Sequence, residues 1–425
     1  MKALNARPLL ITVVLWFSQR PADADIVTHA KTSSHGDTAY TFDPGAYKGD
    51  LKSLPIGIFD SGIGGLTVME AILGLDTFNN ENLRPGPDGK PDFVDESFIY
   101  FGDQANMPYG NYSSVGRTDY LRELILKDAI FLLGSRWFDP KSQTFRNDKP
   151  PVKAIVIACN TATAYGIEDI RDALKKWNLP IIVIGVVEAG ARGVQEIHQA
   201  GAVGVLATVG TCASGAYPRV IGRTLGLAGR TIPAITQQGS SSLAGVIEGD
   251  PAFPATLSEQ CQADVSALVE SHRQSGAKTA LSTVVLGCTH FPLVQNEIEA
   301  ALNQLRQQDR NESIVAEKIQ FVNPAEWTAR ELFKALALAR LRAPHAPSLA
   351  RSQFFLSVPS PLRKDLPLSP DGGLKKEYKY SRAPRRLDEE DTVNIPLSPA
   401  RIPESAKSLI ETKLPLVWAR IQAAP

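Results

Sequence analysis

Val156-Ile157-Ala158-Cys159-Asn160-Thr161-Ala162 and Val284-Val285-Leu286-Gly287-Cys288-Thr289-His290 decide the fold. Each is an aliphatic run that stops at a cysteine, followed by residues with side-chain amide, hydroxyl or imidazole groups. A short, continuously apolar run reads as a strand buried on both faces of a parallel sheet. Open α/β sheets bind their ligands beyond the carboxyl ends of the strands. Each cysteine therefore falls where such a fold does its chemistry, and the two runs predict thiols sharing one substrate. The bland alternative, two small buried hydrophobes, explains one such cysteine better than a matched pair.

Outward from these runs, strand and helix patterns alternate, which signals an α/β fold with parallel sheets. Pro55–Asp60 and Ser97–Asp103 read as strands that end in an acid, as does Ile181–Glu188. Ser61-Gly62-Ile63-Gly64-Gly65 is a glycine-rich turn before a helix at Leu66. Its spacing is not the dinucleotide G-x-G-x-x-G, so a helix N-terminus near a small anion is the expected use. Leu121, Leu124, Ile125, Ala129 and Leu132 share one face of a helix over 117–133. Residues 203–208 and 318–322 read as further strands, and 231–235 as a weak one. Residues 79–96 and 134–151 read as inserted polar loops, the first a solvated acidic turn that lacks the calcium-loop spacing.

The 425 residues suggest two domains with extensions. Lys plus Arg and Asp plus Glu both number 45, a net charge of zero that argues against a general nucleic-acid binder. The four cysteines show neither a C-x-x-C spacing nor histidines at zinc-like intervals, so no metal site is expected. Lys2 and Arg7, the apolar stretch 9–17 and Ala22-Asp23-Ala24 form a secretory signal pattern over residues 1–24. A periplasmic or exported protein follows if that leader is used, and a cytoplasmic one otherwise. That apolar run is too short to span a membrane as a helix, and no second candidate appears. Residues 25–54 read as an arm, and the proline-rich stretch 341–425 as a partly disordered extension whose helix-like segment 404–421 could dock back.

Asp60, Asp103, Glu188 and His290 stand at strand ends beside the cysteines. Any one of these acids could simply cap a helix; together they mark a site able to tune a thiol. Two thiols on opposite faces of one carbon can invert a stereocentre without a cofactor, one removing a proton and the other delivering one. A single nucleophilic cysteine served by His290 remains open on the residues alone.

These segments resemble the glutamate racemases of the aspartate/glutamate racemase superfamily. The likeness rests on residues 57–68, Tyr100-Phe101-Gly102-Asp103, Pro108-Tyr109-Gly110, Ala158–Ala162, Gly185–Glu188, Gly210-Thr211 with Ser214–Tyr217, and Leu286–Leu293, in the family's order. It implies two Rossmann-like parallel-sheet domains with pseudo-twofold symmetry and the site in the cleft between them. The expected domains are 55–183 with 291–340, and 184–290. It also implies cofactor-independent interconversion of L- and D-glutamate, glutamate as the small-molecule partner, and a homodimer. Cys159 would act on the D-enantiomer and Cys288 on the L-enantiomer, assisted by Asp60, Asp103, Glu188 and His290. Asp60, Ser61, Tyr109, Gly110, Asn160, Thr161, Thr289 and His290 would hold the substrate. The chain departs from the family at Asn323, where Asp is usual, and at Ile235–Gly239, which replaces an apolar and acidic run. Another acidic amino acid, or an exported protein that only binds one, are the alternatives.

Overall fold

The computed structural model describes residues 27, 31–32, 38–250, 252–308, 311–344, 352–385, 389–402 and 404–424. The expected signal segment 1–24 lies outside them. Ten strands form two main sheets: β1 Ile56–Asp60, β2 Phe98–Gly102, β3 Ala154–Ile157, β4 Ile182–Gly185, β5 Ala202–Thr208, β6 Ile235–Ser240, β7 Leu281–Gly287, β8 Val315–Val322, β9 Gln353–Pro359 and β10 Thr392–Pro396. The first sheet has the order β10-β9-β2-β1-β3-β4 and the second β6-β5-β7-β8. All pairings are parallel except β9 with β10. β1 and β3 are wholly buried, as the apolar run of β3 and that of β1 up to Asp60 require.

Counted within each half, strands one to four of the first sheet and of the second share the order 2-1-3-4. In both, the chain switches direction between its first and third strands. A crevice opens at such a switch point. Cys159 follows the third strand of one sheet and Cys288 the third strand of the other. The likeness of the two cysteine runs is therefore a likeness of topological position.

Helices α1 Leu66–Gly74, α2 Thr118–Leu133, α3 Asn160–Lys176 and α4 Val186–Ile197 serve the first half and the junction. Further helices, α5 Ala216–Leu227, α6 Leu257–Gln274 and α7 Gln295–Arg306, cover the second sheet. α8 Pro324–Leu338 returns to the first half, where Phe333 stacks on Phe78 with ring centroids 4.3 Å apart.

Several expected boundaries move. Segment 291–340 does not go as one piece with the first domain. α7 shares a core with Val265, Leu268 and Val269 of α6, so the chain emerges beside β7 and β8 joins the second sheet. The weak strand at 231–235 is displaced to 235–240, because a half-exposed edge strand tolerates the polar Thr236-Gln237-Gln238. The 134–151 loop contains a hairpin, Trp137–Asp139 with Thr144–Arg146, whose Phe138 packs on Val393 and Ile395. The 79–96 loop is not simply solvated: Asp92 is buried and accepts from the amides of Thr77 and Phe78. The arm buries Tyr40, Phe42 and Tyr47.

The largest correction concerns the C-terminal extension. β9 extends the first sheet in register with β2, Phe354 and Phe355 packing into the cores on its opposite faces. β10 closes the edge, and both strands carry a proline as their last residue, where a missing N–H costs least. The helix Pro415–Ala423 docks on α1 as the sequence suggested, its first amides, those of Leu416 and Val417, donating to the Glu70 carboxylate.

A buried ion pair ties these peripheral segments to the core. Lys153 Nζ lies 2.7 Å from Glu96 Oε2 and donates to the Lys52 carbonyl, while Glu96 also accepts from the Ala343 amide. Removing one partner leaves a buried charge uncompensated. Lys153→Met is expected to cost about 3–5 kcal/mol in urea unfolding, whereas pairing it with Glu96→Gln recovers part of the loss. A single-variant loss under about 1 kcal/mol, as for exposed pairs, would show that Glu96 has no need of its partner.

Candidate active site

The turn after β1 is built around its own acid. Asp60 Oδ2 accepts from the amides of Gly62 at 3.3 Å and Gly65 at 2.9 Å. Burial raises the Asp60 carboxyl above its ordinary range, against the pull of the His290 charge and of the amides of Gly65, Ser61 and Gly62. The same turn reaches the other half of the protein. A Cβ on Gly64 would stand 2.3 Å from His290 Cε1, so only glycine permits this approach. Thr67 Oγ1 donates to the Thr289 carbonyl at 2.8 Å.

Cys159 caps α3: its Sγ accepts from the Ala162 amide at 3.4 Å and lies 3.8 Å from Ser61 Oγ. A helix N-terminus and an aimed amide favour a thiolate. Burial pushes the Cys159 thiol up more strongly, and the nearby Asp60 charge adds to it. The next two residues reach across the cleft. Tyr217 donates to Asn160 Oδ1 at 2.7 Å, and the Thr161 hydroxyl lies 3.3 Å from Thr208 Oγ1 and 3.1 Å from Thr211 Oγ1.

Cys288 has different company. Its Sγ is 3.7 Å from His290 Nδ1, and His290 Nε2 is 2.7 Å from Glu248 Oε1. Burial works against a charge on His290, but the hydrogen bonds to Cys288 and Glu248 prevail and raise its pKa well above the usual value. Burial likewise opposes ionised Glu248, yet the His290 contact holds its carboxyl below the usual range. The imidazole thus stores a proton beside one thiol only. Thr289 and His290 are both buried, and so are both cysteines.

The remaining expected residues fall in two groups. Tyr109 and Gly110 lie on the loop after β2, and Gly110 meets Gly210 of the second half so closely that a Cβ on Gly210 would stand 2.6 Å from Gly110 Cα. The Tyr109 hydroxyl is engaged internally, 2.6 Å from Asp103 Oδ2 and 2.7 Å from Asp128 Oδ2. One hydroxyl proton cannot serve two carboxylates, so one carboxyl must carry a proton itself. Burial and the Asp103 charge raise Asp128 well above its ordinary range, which makes it the protonated member. Asp103 also accepts from Asn106 Nδ2 and from Ser357 Oγ at 2.6 Å. These bonds tie Asp103 into a positioning network.

Glu188 pairs with cations rather than with a thiol. Arg171 binds both its oxygens, at 2.8 and 2.6 Å, and Arg223 lies 3.8 Å away. The acid bonded to the histidine beside Cys288 is Glu248, which strand-end reasoning passed over because it ends the short helix Leu243–Glu248. Its only signal was an acid followed by Gly249, which terminates the helix at φ +69°. Asp128 and Tyr217 escaped for a similar reason, being helix residues whose partners come from distant segments of the chain. Among the described residues no group of His, Cys, Asp and Glu is arranged to hold a metal ion.

Residues 139–332 match the family model described as Asp/Glu/Hydantoin racemase. A curated glutamate racemase from Thermus thermophilus is 31% identical over 290 residues, which is 68% of this chain and 82% of that protein. Another from Geobacter metallireducens is 30% identical over 308 residues, 72% and 88% of the two chains. Among solved structures, a glutamate racemase isoform from Bacillus anthracis superposes with a TM-score of 0.49 at 26% identity, covering 71% of this chain and 87% of that one.

The protonated Asp128 sets a pH dependence. The folded state keeps a proton that the unfolded chain releases above about pH 4, so this group withdraws stability as pH rises beyond that value. Asp128→Asn cannot ionise. Its urea midpoint is expected to fall less than that of the wild type between about pH 5 and pH 8. Parallel curves for the two proteins would contradict a proton on Asp128.

Proposed function

Because the chain belongs to the glutamate racemase family, we propose that it interconverts L- and D-glutamate with two thiols and no cofactor. The observation that carries this reading is positional. Two cysteines follow equivalent strands of two equally ordered sheets, and the Ser61–Gly65 turn lies against Cys159 through Ser61 and against His290 through Gly64.

In this mechanism the Cα–H bond of L-glutamate breaks as the Cys288 thiolate, which the protonated His290 and its partner Glu248 stabilise beforehand, takes the proton. The carbanion then receives the Cys159 proton on its opposite face. The reverse reaction begins at Cys159. Asp60 disfavours a second negative charge at that thiol, and the substrate's ammonium, drawn to the same carboxylate, offsets it. Nothing is oxidised or reduced, and one proton enters for each that leaves. Ser61, Asn160, Thr161 and Thr289, with the backbone at Tyr109 and Gly110, supply donors for the carboxylates without adding a competing base. A role in supplying D-glutamate for peptidoglycan, a homodimer, and export through the 1–24 leader are part of the same proposal. Fractionation of cells that make the full chain tests the last of these. Among the described residues no helix is long and apolar enough to cross a membrane.

Purified protein incubated with either enantiomer in deuterated water is expected to incorporate deuterium at Cα. Absence of exchange with both glutamate and aspartate would sink the racemase reading, and exchange with aspartate alone would reassign the substrate. Cys159→Ser and Cys288→Ser are each expected to slow racemisation by about 10²–10⁴-fold, the usual weight of a positioned acid or base. Glu248→Gln is expected to slow the L-to-D direction at its chemical step more than Glu188→Gln does. Equal effects would put Glu188 back beside the thiols.

A further inference from the structure

Ser357 and the segment 376–382 lie beyond the family-matched residues 139–332, yet they hold the loop that carries Asp103, Tyr109 and Gly110. β9 runs parallel to β2 with Leu356 opposite Gly102. Ser357 therefore arrives at the same carboxyl edge as Asp103. Its hydroxyl donates to Asp103 Oδ1 at 2.6 Å and accepts from the Ala105 amide at 2.9 Å. The helix Lys376–Ser381 then crosses the loop. Arg382 Nη2 donates to Asn106 Oδ1, Lys379 Nζ to the Met107 carbonyl at 2.7 Å, and Tyr380 to the Pro108 carbonyl at 3.4 Å. Three consecutive residues leading into Tyr109-Gly110 are thus held from one side.

The holding segment is itself braced. The buried Asp391 carboxylate accepts from Arg363 at 3.0 Å and from the Tyr378 hydroxyl at 2.8 Å, and Arg382 lies 3.7 Å from it. The Tyr380 ring meets Tyr112 edge-on at 4.8 Å. The held loop is also the one whose Gly110 touches Gly210 across the two halves. Its position therefore bears on how the two halves meet beside the site.

We propose that the C-terminal segment is a clamp that positions the substrate loop, with Ser357, Lys379 and Arg382 as its positioning residues. This rests on the glutamate racemase reading for its kinetic consequence, though not for its structural one. The clamp touches neither thiol. Its loss therefore loosens substrate binding while the proton transfers keep their groups.

Ser357→Ala and Lys379→Met test it, with Ser357→Thr as the variant that keeps the hydroxyl. Lys379 is half-buried on a surface helix, so its variant is expected to fold. Each of the first two is expected to raise KM for both enantiomers about tenfold with kcat changed less than about threefold, and Ser357→Thr to restore KM. Amide hydrogen exchange over residues 103–112 is expected to quicken in Lys379→Met while the α3 amides keep their protection. KM within about twofold of wild type in both variants, or unchanged exchange over that loop, would overturn the clamp. A wild-type chain without racemase activity would instead overturn the functional reading, and the exchange result alone would then decide the clamp.

Discussion

The structure depends on the approach of the Gly64 backbone to the His290 ring. That contact exists because Gly64 has no Cβ and because Asp60 folds the turn back on itself by accepting two of its amides. It brings the end of β1 against the residue that follows Cys288 by two positions. Without it the Asp60 turn of the first sheet would not reach the histidine beside Cys288. Thr67 reinforces it by donating to the Thr289 carbonyl, and on the other flank Asn160 and Thr161 engage Tyr217, Thr208 and Thr211. These are polar contacts made mostly from helices that begin just after the strand ends, and such elements hold position better than a loop would.

The halves match in strand order but differ in chemistry. Cys159 meets a carboxylate, a hydroxyl and a helix N-terminus, with burial holding its proton on. Cys288 meets an imidazole whose far nitrogen is bonded to a carboxylate. A symmetric fold with unlike neighbours suits a reaction in which opposite faces of one carbon are handled in turn. The pairing of Glu188 with Arg171 illustrates how strand-end position and role come apart. An acid at the right edge can still be claimed by a guanidinium from the neighbouring helix.

The peripheral segments add chiefly to the first half, and the helix Glu404–Lys413 also lies against the short helix Leu243–Glu248 of the second. The arm, the 137–146 hairpin and the strands β9 and β10 enlarge its sheet and cores, while the second half keeps four strands. The enlargement turns an edge strand, β2, into an interior one, and thereby places Ser357 beside Asp103. Proline content was a poor guide here. Prolines at strand ends and in connections are compatible with order, and the apolar Phe354-Phe355-Leu356 run was the stronger signal.

The sequence by itself determined the α/β class, the strands ending at Asp60, Asp103, Cys159 and Cys288, and the glycine turn, because these depend on local periodicity and on residue types that few backbones accept. The matching runs also marked the two thiols as equivalent in strand position. Only the tertiary structure decided that β8 belongs with β7, that the C-terminal strands complete the first sheet, that Glu248 rather than Glu188 bonds the histidine beside Cys288, and that Tyr109 spends its hydroxyl on Asp103 and Asp128. Each of these is a pairing between groups far apart in the chain. Such pairings depend on which faces the crossover helices cover and on which charges burial leaves in need of a partner, and neither has a local periodicity to read.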